Sequence, residues 1–107
     1  MINPDHYTYR HFWSEEDQEF VCLCAEFPSL SWLAETPEQA LQGMRALIGE
    51  VTAEMTANGE VMPFPIASKP YSGKFAVRIP PESHRKLAIE AAEQQISLNR
   101  LVSMKLA

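Results

Sequence analysis

From residue 74 to residue 79 the chain alternates without a break. Phe75, Val77 and Ile79 are apolar, while Lys74, Ala76 and Arg78 are basic or small. A period of two puts the first set on one side of an extended strand and the second on the other. Pro80 and Pro81 stop that strand, and Pro81 has the fixed φ that suits a first helical position. The spacing then changes to three and four. Leu87, Ala88, Ala91 and Ala92 stripe a helix over residues 82–95, and Leu98, Leu101, Val102 and Leu106 stripe a second, capped by Ser97. A lone short strand cannot satisfy its own backbone, and residues 71–107 are too few to bury an adequate core. A second copy of the chain supplies both. Its strand pairs antiparallel with the first, Phe75, Val77 and Ile79 face the helices, and Lys74 and Arg78 face out. Such a ribbon has the width of a DNA major groove, although an edge strand with a solvated face carries the same pattern.

Upstream the pattern is different. Residues 6–13 are aromatic-rich and fit a strand. Residues 14–19 hold four acids and read as a hairpin loop. Residues 20–25 are apolar on both faces, as a central strand covered on both sides is. Pro28 and Ser29 break it, and residues 30–34 make a short third strand. Thr36 then caps a helix, Pro37 takes its first position, and Gln39 stands where a capping box places it. Ala40, Met44, Leu47, Ile48, Val51 and Met55 form one stripe, which Asn58 and Gly59 end. A meander with one long helix on its face is a compact α+β unit. Pro63, Pro65 and Pro70 mark a semi-stiff linker. The expected organisation is an α+β domain over 1–60, a linker over 61–70 and a strand–helix–helix module over 71–107.

Charge sharpens this division. The net charge of −5 over 107 residues hides an asymmetry. Residues 1–70 carry eleven acids against three bases, net −8, and residues 71–107 six bases against three acids, net +3. An acidic front and a basic back imply two different partners. No apolar run approaches the roughly 18–20 residues that cross a bilayer. The start, Met-Ile-Asn-Pro-Asp, has no basic or apolar segment of a signal peptide, so a cytoplasmic location and no membrane partner are expected. Cys22 and Cys24 share a strand face with poor bridging geometry, and no four-ligand metal site is present. They are expected as two buried thiols, with no metal and no cofactor.

The order strand, proline stop, helix, serine-capped helix is that of the ribbon-helix-helix DNA-binding fold. Lys-Phe-Ala-Val-Arg-Ile-Pro-Pro-Glu (74–82) and Ser-Leu-Asn-Arg-Leu-Val (97–102) closely resemble that module as it stands at the C-terminus of HicB-family antitoxins. Trp-Ser-Glu-Glu-Asp (13–17), Glu-Phe-Pro-Ser-Leu (26–30) and Thr-Pro-Glu-Gln-Ala (36–40) resemble the front of the same family. The resemblance covers nearly the whole chain. It implies a front domain with a partial ribonuclease-H-like fold that has lost catalysis and masks a small basic HicA-type toxin, an mRNA-cleaving ribonuclease. It implies a back domain that dimerises, binds operator DNA and represses its own operon. By the same resemblance Lys74, Ala76 and Arg78 face bases, and Ser97 and Leu98 clamp a phosphate. Arg85 is a further phosphate candidate, and the hairpin acids Glu15, Glu16, Asp17 and Glu19 are the candidate toxin contacts. Pairing of dimers into tetramers through the front domains is left open.

No catalytic residue is expected. A metal-dependent ribonuclease-H site needs several converging carboxylates, and Asp5 and Asp17 are the only aspartates. The rival to the antitoxin is a stand-alone ribbon-helix-helix regulator with a sensing or oligomerising front domain. The chain also departs from the family's pattern, in which glycine is common near Ser29, near Glu35 and in the inter-helix turn near Gln95. A left-handed residue without glycine costs on the order of 1 kcal/mol, so the geometry of that turn is left open while the fold is not.

Overall fold

The computed structural model describes residues 2–107 and divides after Tyr71 into a front unit and a back unit, Ser72–Ala107. In the front unit a short 3-10 turn, Pro4–His6, precedes β1 (Tyr9–Ser14), β2 (Glu19–Cys24) and β3 (Ser31–Ala34). The three form an antiparallel sheet with β2 in the middle. α1 (Pro37–Ala57) follows. Mixed α+β structure of this kind agrees with the hydrophobic pattern.

Both ends of α1 are made locally. The Thr36 hydroxyl accepts from the Gln39 amide at 3.2 Å, and Pro37 occupies the first turn. At the far end Gly59 has φ +74°. The Glu60 amide returns to the Met55 carbonyl at 2.8 Å and the Gly59 amide to Thr56 at 3.2 Å. These crossed bonds satisfy carbonyls that the helix leaves open.

Alternation along the strands sends Tyr9, Phe20, Cys22, Cys24 and Ala34 toward α1. There they meet Ala40, Met44 and Ile48, with Tyr7 from the segment before β1. Burying Met44 and Ile48 is worth roughly 1.5–3 kcal/mol each. Thr52, the one buried polar residue among the described residues, donates its hydroxyl to the Ile48 carbonyl at 2.7 Å. Trp32 of β3 lies directly on Gly43 of α1, where a Cβ would overlap the indole ring. The indole can take this position because residue 43 has no side chain.

Two features differ from the sequence expectation. β2 is apolar on both faces, yet α1 covers only one of them, and Phe12, Val21 and Leu33 share the other. The proline segment is also fastened down. The Tyr7 hydroxyl donates to the Pro63 carbonyl at 2.8 Å, the Ile66 amide to Glu26 at 2.9 Å, and Tyr71 to the Ile66 carbonyl at 2.9 Å. Proline removes donors from this stretch, and the polar groups left find partners in the front unit. Neither Ser29 nor Glu35 has a positive φ, so the loops there need no glycine.

The back unit consists of residues 72–80 followed by α2 (Pro81–Glu93) and α3 (Leu98–Leu106). Ala91 and Leu101 are its buried apolar residues. Gln95 is left-handed at φ +58°, with Ile96 bonded back to Ala91 at 3.0 Å and Gln95 to Ala92 at 3.1 Å. The turn is built like that at Gly59, but with a side chain present. Residues 74–79 form no ladder within the chain.

Candidate nucleic-acid interface

Phe75, Val77 and Ile79 line an open groove of about 900 Å³ in the back unit, together with Leu87 of α2 and Leu98, Val102 and Leu106 of α3. The alternating residues thus share one surface with Leu87 of the α2 stripe and with most of the α3 stripe. It is not filled: Phe75 is 73% and Val77 67% exposed. Ala76 and Arg78 lie outside the groove and are exposed, while exposed Lys74 also lines it.

The back unit's cations are largely free of carboxylates. Lys105 pairs with Glu90 at 3.2 Å. Among the described residues Lys74, Arg78, Arg85, Lys86 and Arg100 have no such partner, and all are exposed. Ser97 caps α3, its hydroxyl accepting from the Arg100 amide at 3.0 Å. The amides of Leu98 and Asn99 precede the first intrahelical bond and point where an oxyanion is favourable. Arg85 belongs to α2, on a shallow surface with Glu82, Ser83, Lys86 and Ile89. The back unit thus offers cations on its strand segment and on both helices.

The acids of the front hairpin are partly committed. Glu15 accepts from the Trp13 indole at 2.7 Å and from the Gln18 amide at 3.3 Å, and Asp17 accepts from the Ser14 hydroxyl at 2.9 Å. These bonds build the turn, in which Gln18 is left-handed at φ +53°. Glu16 is exposed, and Glu19 is half-buried in β2.

Glu26 is a polar centre that the pattern did not single out. Its carboxylate accepts from the Thr8 amide at 2.9 Å, from the Thr8 hydroxyl at 3.4 Å and from the Ile66 amide. Burial alone would raise its pKa, but these donors outweigh burial and hold it below the usual carboxylate range. Burial pushes the thiols of Cys22 and Cys24 up, so both stay protonated near neutrality, and both are free. Tyr9 is pushed up to about 12, chiefly by burial. Among the described residues no three His, Cys, Asp or Glu side chains converge to hold a metal ion. No helix there is long and apolar enough to cross a membrane.

Residues 58–106 match the model of the HicB family. No curated protein and no solved structure matches the chain. The HicB match takes in the end of the front unit, where Pro63 and Ile66 are fastened, and then the groove, α2 and all of α3. Lys74, Ala76, Arg78, Arg85, Ser97 and Leu98 fall inside it, and the hairpin acids fall outside.

Proposed function

We propose that the chain is a HicB-type antitoxin: its back unit dimerises into a ribbon-helix-helix module that binds operator DNA, and its front unit holds a small basic HicA-type ribonuclease toxin. The observation that carries the reading is the coincidence of the HicB match with a unit that is incomplete in one chain. Phe75, Val77 and Ile79 stand exposed over the helix stripes, and the backbone between them has no ladder partner. A second copy, paired antiparallel through residues 74–79, closes both deficits at once. Pairing puts Lys74, Ala76 and Arg78 on the outer face of a two-stranded ribbon, which enters a major groove. The open amides of Leu98 and Asn99, below the Ser97 cap, take a backbone phosphate. In this reading the front unit is a non-catalytic, partial ribonuclease-H-like domain with a charge suited to a basic protein.

One observation favours the rival regulator: the family match begins at residue 58 and leaves the sheet and all of α1 outside. Two assays separate the readings. A gel shift with the DNA upstream of the gene should show specific binding, which Arg78→Ala weakens by roughly 1–3 kcal/mol of discrimination. A pull-down with the small basic protein encoded beside the gene should capture it. Operator binding without capture gives the chain to the regulator, and no specific binding to DNA refutes both.

A further inference from the structure

β2 is apolar on both faces, and α1 covers only the face that carries Phe20, Cys22 and Cys24. On the other face Phe12 stands opposite Val21, and Val21 opposite Leu33, in register across all three strands. Directly opposed side chains in antiparallel pairs are in contact range, so the three make one apolar bar. Its two ends are open, Phe12 at 37% and Leu33 at 38% exposed, while Val21 between them is 7% exposed. Arg10 lies over the Phe12 ring, 5.0 Å from its centroid. Toward the hairpin the next row on this face is Ser14 with Glu19, and the turn beyond carries Glu15, Glu16 and Asp17. Glu15 is held by the Trp13 indole on the opposite face, so the carboxylate rim beside this apolar centre consists of Glu19 with Glu16 and Asp17 of the turn.

We infer that this face of the sheet is the docking surface for a basic protein partner, with the Phe12–Val21–Leu33 bar at its centre and Glu16, Asp17 and Glu19 at its rim. The existence of that partner rests on the antitoxin reading, whereas the surface is assigned here by the sheet's own register. Desolvated apolar anchors supply most of an interface's affinity, and charges mainly steer encounter and set orientation. A second copy of the front unit is the less favourable occupant, because each carries a net −8 and the two repel.

The test uses the full chain, titrated calorimetrically and by surface plasmon resonance with the basic protein encoded beside it. Phe12→Ser combined with Leu33→Ser removes both ends of the bar. Both side chains are more than a third exposed, so the change opens no core cavity, and circular dichroism checks the fold. Affinity should fall on the order of a hundredfold, mainly through faster dissociation. Glu16→Lys is the contrasting variant, since Glu16 is exposed. It should slow association and flatten its salt dependence with little effect on dissociation. A folded double variant that binds as tightly as the wild type overturns the assignment of the surface. A wild-type chain that binds no basic protein overturns the antitoxin reading itself. If the double variant instead shrinks the assembly formed by the chain alone, the face belongs to self-association and this proposal is wrong.

Discussion

The front unit closes on itself, with Met44, Ile48, Cys22 and Cys24 almost wholly buried between sheet and helix. The back unit buries Ala91 and Leu101 and leaves Phe75 and Val77 more than two-thirds exposed. Both have amphipathic helices with well-made ends. The difference lies in what the apolar stripes face. α1 has a sheet under it, whereas α2 and α3 share an open groove with a segment that has no ladder partner. Folding of the front is therefore an intrachain event, whereas in the proposed dimer folding of the back is linked to association.

The largest expected effect breaks the back unit alone. Val77→Pro removes a ladder donor from the middle of the proposed ribbon and should abolish both operator binding and association through that unit, read by gel shift and light scattering. Its front unit should still melt as before. The converse substitution, Met44→Ala, leaves a cavity in the front core and should cost about 2–5 kcal/mol there by chemical denaturation, with DNA binding intact. Next comes Gly43→Ala. Alanine is the better helix former by about 1 kcal/mol, but its methyl group overlaps the Trp32 ring. Overpacking should win, with a net loss of about 1–3 kcal/mol and a shifted tryptophan emission.

Acid probes how the proline segment is held. Glu26 has a depressed pKa in the fold. Its contribution is present above the unfolded carboxylate value and is lost as pH falls through the folded one. Protection of the Ile66 amide, taken relative to its intrinsic exchange rate, should fall across that acidic window, and Glu26→Gln should remove this change in protection. The smallest effect is expected at Gln95. Gln95→Gly relieves the left-handed strain and should raise the stability of the associated back unit by at most about 1 kcal/mol.

Much of this was legible in the sequence, because local chemistry decided it. Thr36–Pro37 and Asn58–Gly59 bound α1 through caps that need no distant partner. The position of the turn between α2 and α3 was legible too, although the left-handed conformation of Gln95 within it is seen only in the structure. The parts that escaped are contacts between residues far apart in the chain. Gly43 reads locally as a weak point in a helix, and only the path of β3 shows that Trp32 lies on it. Glu26 reads as one more surface acid, and its value comes from amides 18 and 40 residues away. The doubly apolar β2 was expected to be covered on both faces. One helix covers one face, and the uncovered side carries the Phe12–Val21–Leu33 bar.

The central contrast is tested most directly by melting the two units as separate fragments, 1–71 and 72–107, over about a hundredfold range of concentration. The front fragment should unfold cooperatively at a temperature that does not depend on concentration. The back fragment should be unfolded when dilute, and its melting temperature should rise as concentration favours the dimer. A back fragment that folds as a monomer, or a front fragment whose melting tracks concentration, would contradict the account.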